Sequence, residues 1–125
     1  MDKERTVLTY LRYFDSKQDE DRWAVEEVDA LALDDPQAGW DITLNLINRA
    51  VSDSALAHIA AGPLEDLLNC HGAAVIGPIE QECLTNERLR LALSGVWIDR
   101  ENSIWDRWYA VMWKYGFAEG MRGPL

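Results

Sequence analysis

The stretch Ala60-Ala61-Gly62-Pro63-Leu64-Glu65-Asp66-Leu67-Leu68-Asn69-Cys70-His71-Gly72 constrains this chain more than any other, because it carries the signals for both ends of one short helix. Pro63 has a helix-compatible φ and lacks only an N–H that a first turn leaves unpaired, while Glu65 and Asp66 set negative charge at the positive end of the helix dipole. Gly72 is suited to close the segment in the left-handed conformation. Leu64, Leu67, Leu68 and His71 recur at helical spacing, yet so short a helix is not stable alone in water. The segment is therefore expected at the centre of the packing, with Leu64, Leu67 and Leu68 in the core.

Its surroundings carry the same period. Residues 3–16 predict a helix with Val7, Leu8, Leu11 and Phe14 on the buried face. The polar run from Ser16 to Asp21 leads into a second helix near 21–33, where Ala24, Val28 and Leu31 follow at i, i+4 and i+7 beside Trp23. Asp34-Asp35-Pro36 ends it and starts a third, with Asp35 as cap, Pro36 in the first turn and Trp40, Leu44, Ile47 and Val51 as the apolar stripe. Ser52-Asp53-Ser54 caps a short fourth helix that runs into Gly62-Pro63. Beyond Gly72, the Gly77-Pro78 pair predicts a restart or tight kink, after which Ile79, Cys83 and Leu84 face inward. Thr85 or Asn86 caps a helix that buries Leu89, Leu93 and Val96. The last helix, about 103–115, concentrates Ile104, Trp105, Trp108, Tyr109, Met112, Trp113 and Tyr115, and an irregular tail is expected over 117–125.

No alternating apolar pattern long enough for a strand interrupts this series. The fold class is all-α, with about seven or eight short helices in a compact bundle or in stacked antiparallel pairs resembling a short α-solenoid. At 125 residues the chain has the size of a single domain, 1–125, with 36–115 as its core. With 48% hydrophobic residues it has the apolar surface to fold without a metal or disulfide, so no cofactor is expected.

Twenty-two acidic residues against twelve basic ones give a net charge of −10. The excess is uneven: residues 1–35 carry −6, residues 36–85 carry −5 and residues 86–125 carry +1. Such a field repels phosphate backbones and anionic bilayers, which excludes nucleic acid and membrane as partners and favours a basic protein. The charged start Met1-Asp2-Lys3-Glu4-Arg5 is unlike a signal peptide, and no apolar run approaches the ~18 residues of a membrane span. A cytoplasmic location is expected, with Cys70 and Cys83 as buried, reduced thiols.

Chemistry-bearing motifs are few. His58, Cys70, His71 and Cys83 lack the paired spacing of zinc ligands, since adjacent Cys70 and His71 diverge on a helix. Paired carboxylates abound, which weakens any one pair as an acid and base. Nucleotide-binding glycine loops, H-E-x-x-H and G-x-S-x-G are all absent.

Pro36-x-x-x-Trp40, the run Ala61-Gly62-Pro63-Leu64-Glu65-Asp66-Leu67-Leu68 with His71-Gly72, and Leu93-Ser94-Gly95-Val96-Trp97 together resemble a family of small helical bacterial domains of unknown function. The resemblance spans roughly 36–115 and implies a helical fold, but no catalytic residues. The expected function is a non-enzymatic protein–protein interaction domain that masks a basic surface, as bacterial immunity proteins and antitoxins do. The partner-binding candidates are Asp19, Glu20, Asp21, Glu65, Asp66, Trp105 and Trp108. The alternatives are an enzyme using a carboxylate with His58 or His71 in an unrecognised pocket, and an adaptor module in a larger assembly.

Overall fold

A computed structural model describes residues 2–117, and among them there are helices and turns but no strand. The α-helices are α1 (Lys3–Ser16), α2 (Arg22–Asp34), α3 (Pro36–Arg49), α4 (Asp53–Ile59), α5 (Glu65–Cys83), α6 (Glu87–Leu93) and α7 (Trp105–Lys114). A 3₁₀ turn, Asp19–Asp21, precedes α2, and a π-helical stretch, Ala60–Leu64, joins α4 to α5. Of the tail expected over 117–125, residues 118–125 lie outside the described residues.

Local chemistry sets most of the starts. Asp35 Oδ1 accepts from Ala38 N at 3.2 Å, Ser52 Oγ from Ala55 N at 3.1 Å and Asn86 Oδ1 from Leu89 N at 3.0 Å, so the three caps are where the sequence puts them. Each satisfies an N–H that its helix cannot, at about 1 kcal/mol apiece. Two C-termini are closed from a distance by arginines of α6. Arg88 donates to Ile47 O and Ala50 O at the end of α3, and Arg90 donates to Cys83 O and Leu84 O at the end of α5.

The helices converge rather than stack in line. α5 packs on α2, α3, α6 and α7, while α2 also packs on α1 and α3. A solenoid repeat would touch only its neighbours, so the bundle is the arrangement present. Leu64, Leu67 and Leu68 are fully buried at its centre, as their spacing predicts. The core is wider than 36–115, because Val7, Tyr10, Ala24, Val28 and Ala32 of α1 and α2 belong to the same cluster.

Several expectations about that central stretch are corrected. Gly72 does not close a helix in the left-handed conformation: the backbone kinks at His71 (φ −135°, ψ 30°), where one helical segment gives way to another, and α5 as a whole runs on to Cys83. Gly72 is needed for space, since a Cβ on it would stand 2.5 Å from Cγ1 of Ile104, whose side chain is buried against it. Pro78 neither restarts nor breaks the helix. The carbonyl it leaves unpaired belongs to Ala74, and both residues are exposed, so water can solvate it. Gly62-Pro63 does interrupt the ladder, with Gly62 non-helical and the wider π turn making room for the proline ring.

Three apolar residues expected inside face out. Leu8 is 50% exposed because α1 packs on α2 and α3 through an arc that has Val7 and Tyr10 at its middle. Val51, 88% exposed, falls beyond the end of α3, and Leu84 follows the end of α5 and is half-exposed. Close approach of α2 and α3 depends on Gly39, where a Cβ would stand 2.8 Å from Leu31 O.

Candidate functional site

The acidic candidates do not share one environment. Asp19 and Glu20 are exposed on the 3₁₀ turn, whereas Asp21, two residues on, is buried. Arg12 of α1 reaches across and grips Asp21 with two bonds, Nε to Oδ2 at 2.8 Å and Nη2 to Oδ1 at 2.7 Å. Hydrogen bonding from Arg12 holds the Asp21 carboxyl below the usual carboxylate range. Its charge is spent inside the fold, so Asp21 is a positioning group for the turn and is withdrawn as a partner-binding residue.

Asp66 stands at the start of α5, half-buried, near Asp29 of α2. Neither carboxylate makes a hydrogen bond or ion pair within the described residues. Burial raises the pKa of both, and the Asp66 charge raises Asp29 further. Glu65 turns the other way: its Oε1 accepts from Trp97 N at 2.6 Å. Asn69, one turn along, donates from Nδ2 to Trp97 O at 2.9 Å. Together they clamp the α6–α7 connection onto α5.

The tryptophan candidates also separate. Trp108 is buried, and its Nε1 donates to Leu93 O at 3.2 Å, which makes it a core residue rather than a surface anchor. This corrects its assignment as partner-binding. Trp105 is half-buried, stacked on Tyr109 with ring centres 4.7 Å apart and covered on its flank by Arg100. α7 packs on α5 and α6, whereas the acidic turn packs on α1 and α2, so Trp105 and the pair Asp19 and Glu20 are carried by different helices.

Sequence reasoning missed Trp97, which is 77% exposed. The available signal was its setting between Val96 and Ile98, both buried, but three residues are too few to read as an extended run.

The described concavities are shallow. One of about 460 Å³ is lined by Asp35, Gln37, Ala38, Trp40 and Asp41, and Asp41 there is paired with Lys3 at 2.7 Å. Another, about 380 Å³, runs between α5 and α7 past Gly77, Leu84 and Val111, with the Glu80–Arg107 ion pair on its rim. Neither contains a histidine or cysteine. His58 packs on the edge of Phe14, with ring centres 5.4 Å apart, and its pKa is lowered by burial and then by Lys17. His71 Nε2 lies 2.6 Å from Leu33 O. Cys83 is buried as expected, and burial pushes its pKa up to about 11, which suppresses the thiolate, whereas Cys70, expected to be buried too, is exposed. Among the described residues no three His, Cys, Asp or Glu side chains converge as metal ligands, and no helix is long and apolar enough to cross a membrane.

The fold and charge define a small all-helical domain with an excess of acidic side chains. The chain belongs to DUF6869, a family of unknown function, whose model matches residues 13–116. That match begins earlier than the 36–115 span of the sequence resemblance and takes in the last turn of α1 and all of α2. No curated protein and no solved structure matches the chain.

Proposed function

We propose that this domain is a non-enzymatic interaction module that binds a basic protein partner, in the manner of a bacterial immunity protein or antitoxin. The observation that carries the reading is the distribution of charge: −11 over residues 1–85 against +1 over residues 86–125. Four ion pairs among the described residues engage only Glu4, Asp21, Asp41 and Glu80 on the acidic side. The remaining exposed carboxylates of α2 and the 3₁₀ turn, Asp19, Glu20, Glu26 and Asp34, are open to a partner.

Opposite potentials steer such partners together, and the effect falls as the Debye length shrinks from about 10 Å at 0.1 M salt to about 3 Å at 1 M. The association rate with a basic partner should therefore drop steeply across that range, while dissociation changes less. Stopped-flow mixing of the two purified proteins measures both. An association rate indifferent to salt would remove electrostatic steering from the account.

A further inference from the structure

Trp97 sits in the segment joining α6 to α7, and four independent anchors fix its direction. Val96 and Ile98 on either side are buried in the core, so the alternation of an extended stretch throws the residue between them outward. Its own N–H is bound by Glu65 Oε1 and its carbonyl by Asn69 Nδ2, both from α5. Asn69 Nδ2 also donates to Glu65 O at 3.0 Å, tying the two clamp residues to each other.

The segment after Trp97 is equally ordered. Asp99 Oδ1 accepts from Glu101 N at 2.9 Å, Asn102 N donates to Asp99 O at 2.9 Å, and Asn102 Oδ1 accepts from Ile104 N at 3.1 Å. Ile104 then fits against Gly72. These contacts hold the backbone that carries the indole, and at 77% exposure the ring has no ring partner among the described residues.

We infer that Trp97 is the anchor of the partner interface: an indole presented by a pre-ordered backbone that inserts into an apolar cleft on the basic protein, whose cationic rim meets Asp99 and Glu101 beside it. This inference rests on the reading of the domain as a binder of a basic protein. Tryptophan is the side chain most enriched among residues that dominate interface energetics. A residue held in place before binding loses little conformational freedom on binding. Charge complementarity selects the occupant: the chain as a whole carries −10, and Arg100, the cation between Asp99 and Glu101, lies over the Trp105 ring. Asp99 and Glu101 are exposed and make no ion pair within the described residues, and Glu65 already spends an oxygen on the clamp.

The test starts with the immobilised full chain exposed to an extract of its source cell at low salt, and with identification of any protein retained in stoichiometric amount. That protein is purified and titrated calorimetrically against four chains: the natural one, Trp97→Ala, Asn69→Ala and, as a control at another exposed apolar position, Val51→Ser. If Trp97 is the anchor, Trp97→Ala weakens binding by about 30-fold or more. Asn69→Ala loosens the clamp and weakens it less, and Val51→Ser changes nothing. All four chains are checked by circular dichroism, and Trp97→Ala should melt close to the natural chain because most of its side chain is in solvent. A basic partner bound equally well by Trp97→Ala overturns the anchor while leaving the proposed function standing. Retention of only neutral or acidic proteins, or of none, overturns both.

Discussion

Two carboxylate sites on α2's flanks answer burial in opposite ways. At its start, Asp21 is enclosed and matched by the two-bond grip of Arg12, which lowers its pKa. In its middle, Asp29 faces Asp66 of α5 with no cation between them, and both pKa values rise. The first is a charge the fold uses, and the second is a charge the fold tolerates. A net charge of −10 is therefore not simply a coat for partners, since part of it is set against the folded state.

The scale for that contrast comes from Leu67, one residue past Asp66 and fully buried. Leu67→Ala should destabilise the protein by about 2–5 kcal/mol in chemical denaturation. A loss below about 1 kcal/mol would mean that the start of α5 is loosely packed, and would remove the burial held responsible for the raised pKa of Asp66.

Next in size is Arg12→Ala, which leaves Asp21 enclosed without its cation. The melting temperature at pH 7 should fall, and the deficit should shrink in acid. The sign follows from the lowered pKa: the stabilisation is complete above the unfolded value of about 3.9 and is lost as pH falls through the folded value below it. A deficit independent of pH from 7 to 3 would show that Arg12 acts through packing alone.

The smallest effect belongs to Asp66→Asn and has the opposite sign. A raised carboxyl pKa makes the charged form a penalty that is full at neutral pH and disappears as pH falls through the raised value. Asp66→Asn should stabilise by only a few tenths of a kcal/mol at pH 7, since solvent screens a half-exposed pair, and by nothing near pH 3. Melting curves of the natural chain and Asp66→Asn across that range give the comparison directly. Destabilisation at neutral pH would mean that the carboxylate has a favourable partner after all.

What the sequence made legible divides along the same line of local against distant chemistry. The caps Asp35, Ser52 and Asn86 act three residues away, and the apolar stripes of α2, α3 and α5 need only the helical period, so both could be read in advance. The Arg12–Asp21 pair was hidden because nothing in a polar run says which carboxylate turns back toward the preceding helix. Gly72 looked like a left-handed helix cap because its real constraint, Ile104, lies 32 positions along the chain. Of the candidate surface, the exposed acids Asp19 and Glu20 and the half-buried Asp66 were legible as polar positions. Trp97 was not, because its outward direction is imposed by two residues of another helix.

The notch at Gly72 also bears on how the chain assembles as it is made. At about 5–20 residues per second, Ile104 emerges roughly 2–6 s after the glycine it covers. Over that interval α1 to α5 can already gather, since their contacts with one another need no later residue, but a bare strip of α5 stays open to water. Docking of the α6–α7 segment thus follows the gathering of α1 to α5. A side chain at position 72 would act there, delaying closure and prolonging the time for which the nascent chain shows its core.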